Sequence, residues 1–412
     1  MKLLVVGSGG REHAVIRKLK ENKEIEKIYC APGNGGISAD AECVDIKATD
    51  KENMVKFAKE NAIDFCVVTP DDPLALGMVD EMEEAGIPCF GPKANAAIIE
   101  ASKAFSKDLM KKYGIPTADY ETFDNEKEAL HYIEEKNTFP IVIKADGLAL
   151  GKGVLICETL DDAKTALREM MVEHVFGLSG NKVVVEEFMT GKEVSVLAFT
   201  DGNVVKPMIS SMDHKRAYDN DEGLNTGGMG TIAPSPYYTK EIAETCMETI
   251  FLPTVKAMNA EGRTFKGCLY FGLMLTPKGP RVVEYNCRFG DPETQVVLPL
   301  LNSDLLTIMK ACHDGTLKDV DVVWSEEACA CVVEASGGYP VKYEKGFEIH
   351  GLDENGQHDG VIVYHAGTKK ENGKFYTNGG RVLGITAKGA TLQDALDKAY
   401  EAVKEIGFDK MH

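Results

Sequence analysis

The chain predicts a multidomain α/β and α+β protein: an N-terminal parallel βαβ domain, a central domain carrying a small antiparallel lid, and a small β-rich C-terminal domain. Three observations lead there. At 412 residues the chain exceeds one ordinary core, so about two to four domains are expected. Its first hundred residues alternate short apolar runs with helix-like stretches. Beyond them, β-branched strands are joined by glycine-rich turns.

The N-terminal elements follow in order as strand LLVVG, helix REHAVIRKLKEN, strand KIYCAPG, helix KENMVKFAKENA, strand DFCVVTP, helix LGMVDEMEEAG and strand PCFGP. Such alternation implies a parallel sheet with helices on both faces, whose ligands bind beyond the carboxyl ends of the strands. Those ends read GSGGRE, APGNGG and TPDDPL. A helix, ASKAFSKDLMKKYG, then leads from residue 101 into FPIVIKADGLALGKGVLICE, two strands around a glycine loop, and KVVVEEFMTGKEVSVLAFT, a further strand–turn–strand. Residues 210–230 mix charge and glycine and are expected to form a long irregular binding loop. An αβ segment over 239–317 and a strand-rich tail with a last helix, LQDALDKAYEAVKEIG, close the chain. The expected boundaries are 1–101, 102–324 with the lid at about 122–190, and 325–412.

Composition narrows the function. A net charge of −19 disfavours a nucleic-acid partner. No apolar run approaches the roughly 18–20 residues of a membrane span, and the apolar start is too short for a signal segment. The 11 cysteines are scattered, with no C-x-x-C pair, and read as buried free thiols in a reducing cytoplasm.

The opening glycines test a dinucleotide site. Gly7 and Gly9 fit G-x-G-x-x-G, but Glu12 stands at the third glycine, and the second strand ends Ala31-Pro32-Gly33 without a ribose-binding acid. A tight turn whose amides could meet one anionic group remains. KADGLALGKG (144–153) sets Gly147, Gly151 and Gly153 between Lys144 and Lys152. Without the P-loop spacing, it reads as a phosphate flap or a plain flexible hairpin. In VVVEEFMTGKE, the strand end at Glu186, Glu187 and Phe188 could offer backbone groups to an adenine, and Glu193 could accept ribose hydroxyls. RVVEYNCRFGDP carries the most chemistry, since strand alternation sets Glu284, Asn286 and Arg288 on one face. The first two are hard oxygen ligands for Mg²⁺ or Mn²⁺, and the third is a fork for carboxylate or phosphate.

GSGGREHA, PGNGG, ASKAFSK, KADGLALGKG, EEFMTGKE, DHKRAYDNDEGLNTGGMG, EYNCRFGDPE and TNGGRVLG occur in that order along the whole chain. Through them it resembles the phosphoribosylamine–glycine ligase (glycinamide ribonucleotide synthetase) family of ATP-grasp enzymes, and RFGDPE is the most specific segment. The resemblance implies an N-terminal pre-ATP-grasp domain and an ATP-grasp domain with a mobile lid. It implies ATP-dependent ligation of glycine to 5-phosphoribosylamine through a glycyl phosphate, in purine synthesis. By resemblance, Lys103 and Lys144 contact ATP phosphates under the loop of Gly147, Gly151, Lys152 and Gly153. Glu186, Glu187 and Phe188 form the adenine hinge, Glu193 takes the ribose, and Glu284 and Asn286 hold the metal. Asp213, Lys144 and Arg288 are the candidate catalytic residues. Asp213, Lys215, Arg216, Arg288 and Asp291 surround the glycine side of the site, and Gly9, Gly10 and Asn34 the phosphoribosylamine side. ATP, Mg²⁺ or Mn²⁺, and small-molecule substrates are the expected partners, with a monomer expected. Asp71 in TPDDPL, Leu150 and Lys192 depart from the family pattern, and LYFGLMLT lacks the further metal carboxylate of many ATP-grasp enzymes. The alternatives are another ATP-grasp ligase or carboxylase of nucleotide metabolism and a nicotinamide-dependent oxidoreductase.

Overall fold

The computed structural model describes residues 1–149 and 152–412, so Leu150 and Gly151 of the glycine loop lie outside the described residues. The N-terminal strands Lys2–Gly7, Lys27–Pro32, Glu42–Cys43, Phe65–Val68 and Cys89–Phe90 form a wholly parallel sheet. Lys2–Gly7 lies at its centre, flanked by Lys27–Pro32 on one side and Phe65–Val68 on the other. Leu3, Leu4, Val5 and Val6 are completely buried, as both faces of a parallel sheet require. The chain changes direction beside this central strand, so Gly7 and Thr69 border the crevice where such sheets receive ligands.

The helix expected from Ala101 instead begins at Lys103. Ser102 has an extended backbone and its hydroxyl accepts from the Phe105 amide at 3.1 Å, dividing Ala94–Ala101 from Lys103–Tyr113. Gly114, left-handed at φ 68°, ends the second helix.

Strands Tyr120–Phe123, Val183–Glu187, Ile141–Ala145 and Val154–Cys157 form, in that spatial order, an antiparallel sheet. Helices Glu126–Lys136 and Leu160–Met171 give it a core of its own, including Ile133, Ile143, Leu167 and Met170. The segment read as strand–turn–strand divides here. Val183–Glu187 stays in this sheet, whereas Lys192–Thr200 pairs with Gly267–Thr276 in a second sheet completed by Val205–Pro207 and Gly279–Asn286. Each strand finds a distant partner that a local pattern cannot display.

Residues expected to be irregular form a long hairpin, Met212–Tyr218 against Glu222–Ala233. Its glycines lower strand propensity, but pairing with Ala328–Ala335 outweighs them, with Gly230 opposite Val332 and Ala233 opposite Cys329. The hairpin thereby joins Arg381–Gly389 and Ile362–His365 in one sheet with residues beyond 325. Helix Leu392–Val403, capped by the Thr391 hydroxyl, covers that sheet. Among the described residues, no helix is long and apolar enough to cross a membrane.

Candidate active site

Strand Gly279–Asn286 builds one wall. Tyr285, Cys287 and Phe289 are buried in the core, while Glu284, Asn286 and Arg288 alternate with them and are only partly covered. Gly272 is paired with Glu284, and a Cβ there would lie 3.0 Å from the Glu284 Cγ. Glycine at this point of LYFGLMLT makes room for the Glu284 side chain. Burial by itself would raise the Glu284 carboxyl, but Lys215, then Lys144, Lys103 and Arg288, outweigh it and hold the group below its usual value. An ionised carboxylate beside an amide oxygen suits a hard cation that takes its other ligands from phosphates. No cluster of three or more His, Cys, Asp or Glu side chains arranged for a metal occurs among the described residues.

Three buried charges stand beside this wall. Glu186 is bridged by Lys144 (Nζ to Oε2, 3.0 Å) and Lys107 (Nζ to Oε1, 3.3 Å), and all three are at most 5% exposed. Lys144 also donates to the Val283 carbonyl at 3.2 Å, tying the lid strand to the wall. Lys107 donates to the Thr117 hydroxyl at 2.7 Å, and burial foremost pushes its ammonium down to about 8. Lys107 is absent from the sequence reading, although it lies four residues from Lys103 on the same helical face, a signal that was available.

The glycine loop is anchored at its base. Asp146 accepts from the Ser102 hydroxyl at 2.9 Å and the Ala104 amide at 2.8 Å, while Lys103 Nζ donates to the Gly147 carbonyl at 3.2 Å. Burial foremost lowers the Lys103 ammonium. Gly147 and Gly153 are required by close packing, since a Cβ would meet the Ser179 Oγ at 2.7 Å and the Ala149 Cβ at 2.8 Å respectively. Lys152 is exposed, and Gly151 lies outside the described residues. At the strand end, Glu187 accepts from the Asp119 amide at 3.0 Å and pairs with Arg281 at 2.9 Å. Phe188 is 39% exposed. Glu193 faces Lys215 at 3.8 Å.

Asp213 and Lys215 of the hairpin lie close enough to Glu284 and Tyr270 to influence their ionisation. Burial leads in raising the Asp213 carboxyl; Asp213 and Glu193 overcome burial to raise the Lys215 ammonium well above its ordinary value. Behind them, buried Tyr270 links Ser195 at 2.7 Å to Glu293 at 3.3 Å. Arg216 donates to the Gly223 carbonyl within the hairpin at 2.8 Å.

The N-terminal loop is more committed than its glycines suggest. The Ser8 and Gly9 amides, expected to meet an anionic ligand, both donate to Glu12 Oε1, at 3.2 and 2.8 Å, and Arg11 pairs with the same carboxylate. Gly9 and Gly10 leave space for Asp291 and Gln295: a Cβ would approach them at 3.1 and 2.6 Å. Asn34 uses both amide protons on the Ser8 and His365 carbonyls, at 2.9 and 2.7 Å, and its oxygen accepts from Gly36 and Ile37. That exhausts its hydrogen-bonding capacity within the chain. Asp291 accepts from Gln295 at 2.8 Å and lies 3.7 Å from Arg381, joining this loop to the C-terminal sheet. Arg11 and Arg288 each donate to the Phe289 carbonyl at 3.3 Å, placing two guanidiniums at the crevice. The contacts of Arg11 with Phe289, of Arg381 with Asp291 and of Glu293 with Tyr270 carried no local sequence signal, because the partners lie 278, 90 and 23 residues away.

Lys103, Lys144, Asp213, Lys215, Glu284 and Arg288 therefore converge between the lid, the central sheet and the hairpin. Models of the phosphoribosylglycinamide synthetase N domain, ATP-grasp (A) domain and C domain match residues 1–100, 101–294 and 329–412. A phosphoribosylamine–glycine ligase of Caldanaerobacter subterraneus subsp. tengcongensis is 50% identical over 100% of this chain and 98% of its own length. One from Clostridium acetobutylicum is 48% identical over the same shares. The crystal structure of phosphoribosylamine–glycine ligase from Thermotoga maritima is similar at TM-score 0.88 and 32% identity, covering 100% of this chain and 98% of that one.

Proposed function

The chain belongs to the phosphoribosylglycinamide synthetase family, and from that premise we propose how its residues carry out ATP-dependent ligation of glycine to 5-phosphoribosylamine. The products are glycinamide ribonucleotide, ADP and phosphate, so the enzyme is a carbon–nitrogen ligase of purine synthesis. The observation that carries the residue assignment is the convergence of Lys103, Lys144, Glu284 and Arg288 at one wall.

A carboxylate resists attack by an amine because oxide is a poor leaving group. Transfer of the γ-phosphoryl group of ATP to the glycine carboxylate makes a glycyl phosphate, and the amine of phosphoribosylamine then displaces phosphate. Lys103 and Lys144 balance the charge on the moving phosphoryl group. Arg288 holds the glycine carboxylate in line with it, with Asp213 and Lys215 closing the glycine side. Glu186, Glu187 and Phe188 border the adenine, and Glu193 the ribose. The lid over 122–190 excludes water from the acyl phosphate. Glu284 and Asn286 would hold Mg²⁺ or Mn²⁺, which supplies further charge neutralisation at the phosphates. The phosphoribosyl substrate is assigned to the crevice bordered by Gly7 and Thr69, on whose side the Arg11 guanidinium lies. The eleven free cysteines support a reducing cytoplasm as the working compartment.

With phosphoribosylamine generated in place, ADP is expected to form only when glycine is also present. Glu284→Ala and Arg288→Ala should each lower turnover by about 100-fold or more while the far-UV spectrum stays native. Near-normal turnover in either variant would overturn that residue's role.

A further inference from the structure

Arg288 is held by a pair of acids that sequence reading did not connect to it. Glu100, at the end of helix Ala94–Ala101, is 8% exposed. Its Oε1 accepts from the Cys287 amide at 2.8 Å and lies 3.5 Å from Arg288 Nε. That Nε is buried and makes no hydrogen bond. Asp71 opens helix Asp71–Ala75, which packs against helix Ala94–Ala101, and its carboxyl interacts with both Glu100 and Arg288. Two carboxyls in contact cannot both ionise without strong repulsion, and a hydrogen bond between them requires a proton.

We propose that Asp71 and Glu100 are positioning residues for Arg288, sharing one proton so that the pair carries a single negative charge against the guanidinium. This rests on the reading that Arg288 holds the glycine carboxylate. With one shared proton the pair fixes the Nε edge and leaves the guanidinium able to attract a third carboxylate. With both acids ionised, the surplus negative charge opposes glycine.

The charges around the pair agree with this assignment. Burial leads in raising the Glu100 carboxyl to about 7; Arg288 opposes the rise and Asp71 adds to it. For Asp71 burial is outweighed by Arg288, then Glu100 and Arg11, which hold its carboxyl low. The proton therefore resides on Glu100. The Cys287 thiol, raised by burial and then by Glu100, stays neutral, and Lys103 is a further cation that feels Glu100. The Glu100 proton is present below about pH 7 and is lost as pH rises through that value.

The test is KM for glycine and for ATP between pH 6 and 9 in the wild type, Glu100→Gln, Asp71→Asn and Arg288→Lys. Gln at 100 keeps an acceptor for the Cys287 amide, and Asp71 is only half-buried, so both variants should fold. In the wild type, KM for glycine should rise about tenfold above pH 7 while KM for ATP stays level. Glu100→Gln leaves the single charge of Asp71 at every pH and should flatten that rise, whereas Asp71→Asn removes a neighbour that raises Glu100 and should move the rise to lower pH. Arg288→Lys should raise KM for glycine at all pH values. A flat wild-type profile, or variants that keep the wild-type rise, overturns the shared proton while leaving Arg288 in its role. An unchanged KM for glycine in Arg288→Lys overturns the parent reading and the proposal with it.

Discussion

Two glycine-rich loops leave buried strands in this chain, 7–10 after Lys2–Gly7 and 146–153 after Ile141–Ala145, and they spend their polar groups differently. In the first, Glu12 takes the Ser8 and Gly9 amides, and the glycines make room for Asp291 and Gln295. In the second, Asp146 turns back to the Lys103 helix and anchors only the base of the loop. Lys144 and Lys103 remain beside the ionised Glu284. Glycine thus marks a close approach of chain segments. Whether the approaching group is a ligand or the protein's own carboxylate depends on what already satisfies the donors.

Substitutions in the two loops should separate these uses. The largest effect is expected from Lys144→Met, which leaves Glu186 with one buried cation instead of two. Turnover should fall by about 100-fold and stability by about 3 kcal/mol, read from steady-state rates and urea unfolding. Unchanged turnover would make Lys144 a purely structural partner of Glu186. Glu12→Gln comes next. It weakens the two amide contacts and the Arg11 pair, and should cost about 2 kcal/mol of stability without moving KM for ATP. A raised KM for ATP would break the contrast between the loops. Gly10→Ala should have the smallest effect. Its Cβ would lie 2.6 Å from the end of the Gln295 side chain, which can turn aside, so thermal melting should show a loss of about 1 kcal/mol.

Part of the site was legible because strand alternation is local. Glu284, Asn286 and Arg288 share a face while Tyr285, Cys287 and Phe289 are buried, as a period of two requires. The βαβ alternation of the first hundred residues is legible for the same reason. The hairpin over 212–233 was not, because its second strand takes a further partner about a hundred residues on and its glycines argue locally for a loop. The lid strand and its successor were joined in one motif although tertiary pairing sends them to different sheets.

By itself the sequence determined the elements with strong periodicity, the family, and the residue types able to handle phosphates, a cation and a carboxylate. Tertiary structure alone decided which of those groups remain available. Asn34 reads as a free amide until the Ser8 and His365 carbonyls close on it, and Gly9 as an open amide until Glu12 does. Glu100 reads as one more helix acid until Cys287 and Arg288 arrive beside it. Each outcome depends on contacts that exist only once distant segments have packed, and desolvation there turns ordinary side chains into committed partners.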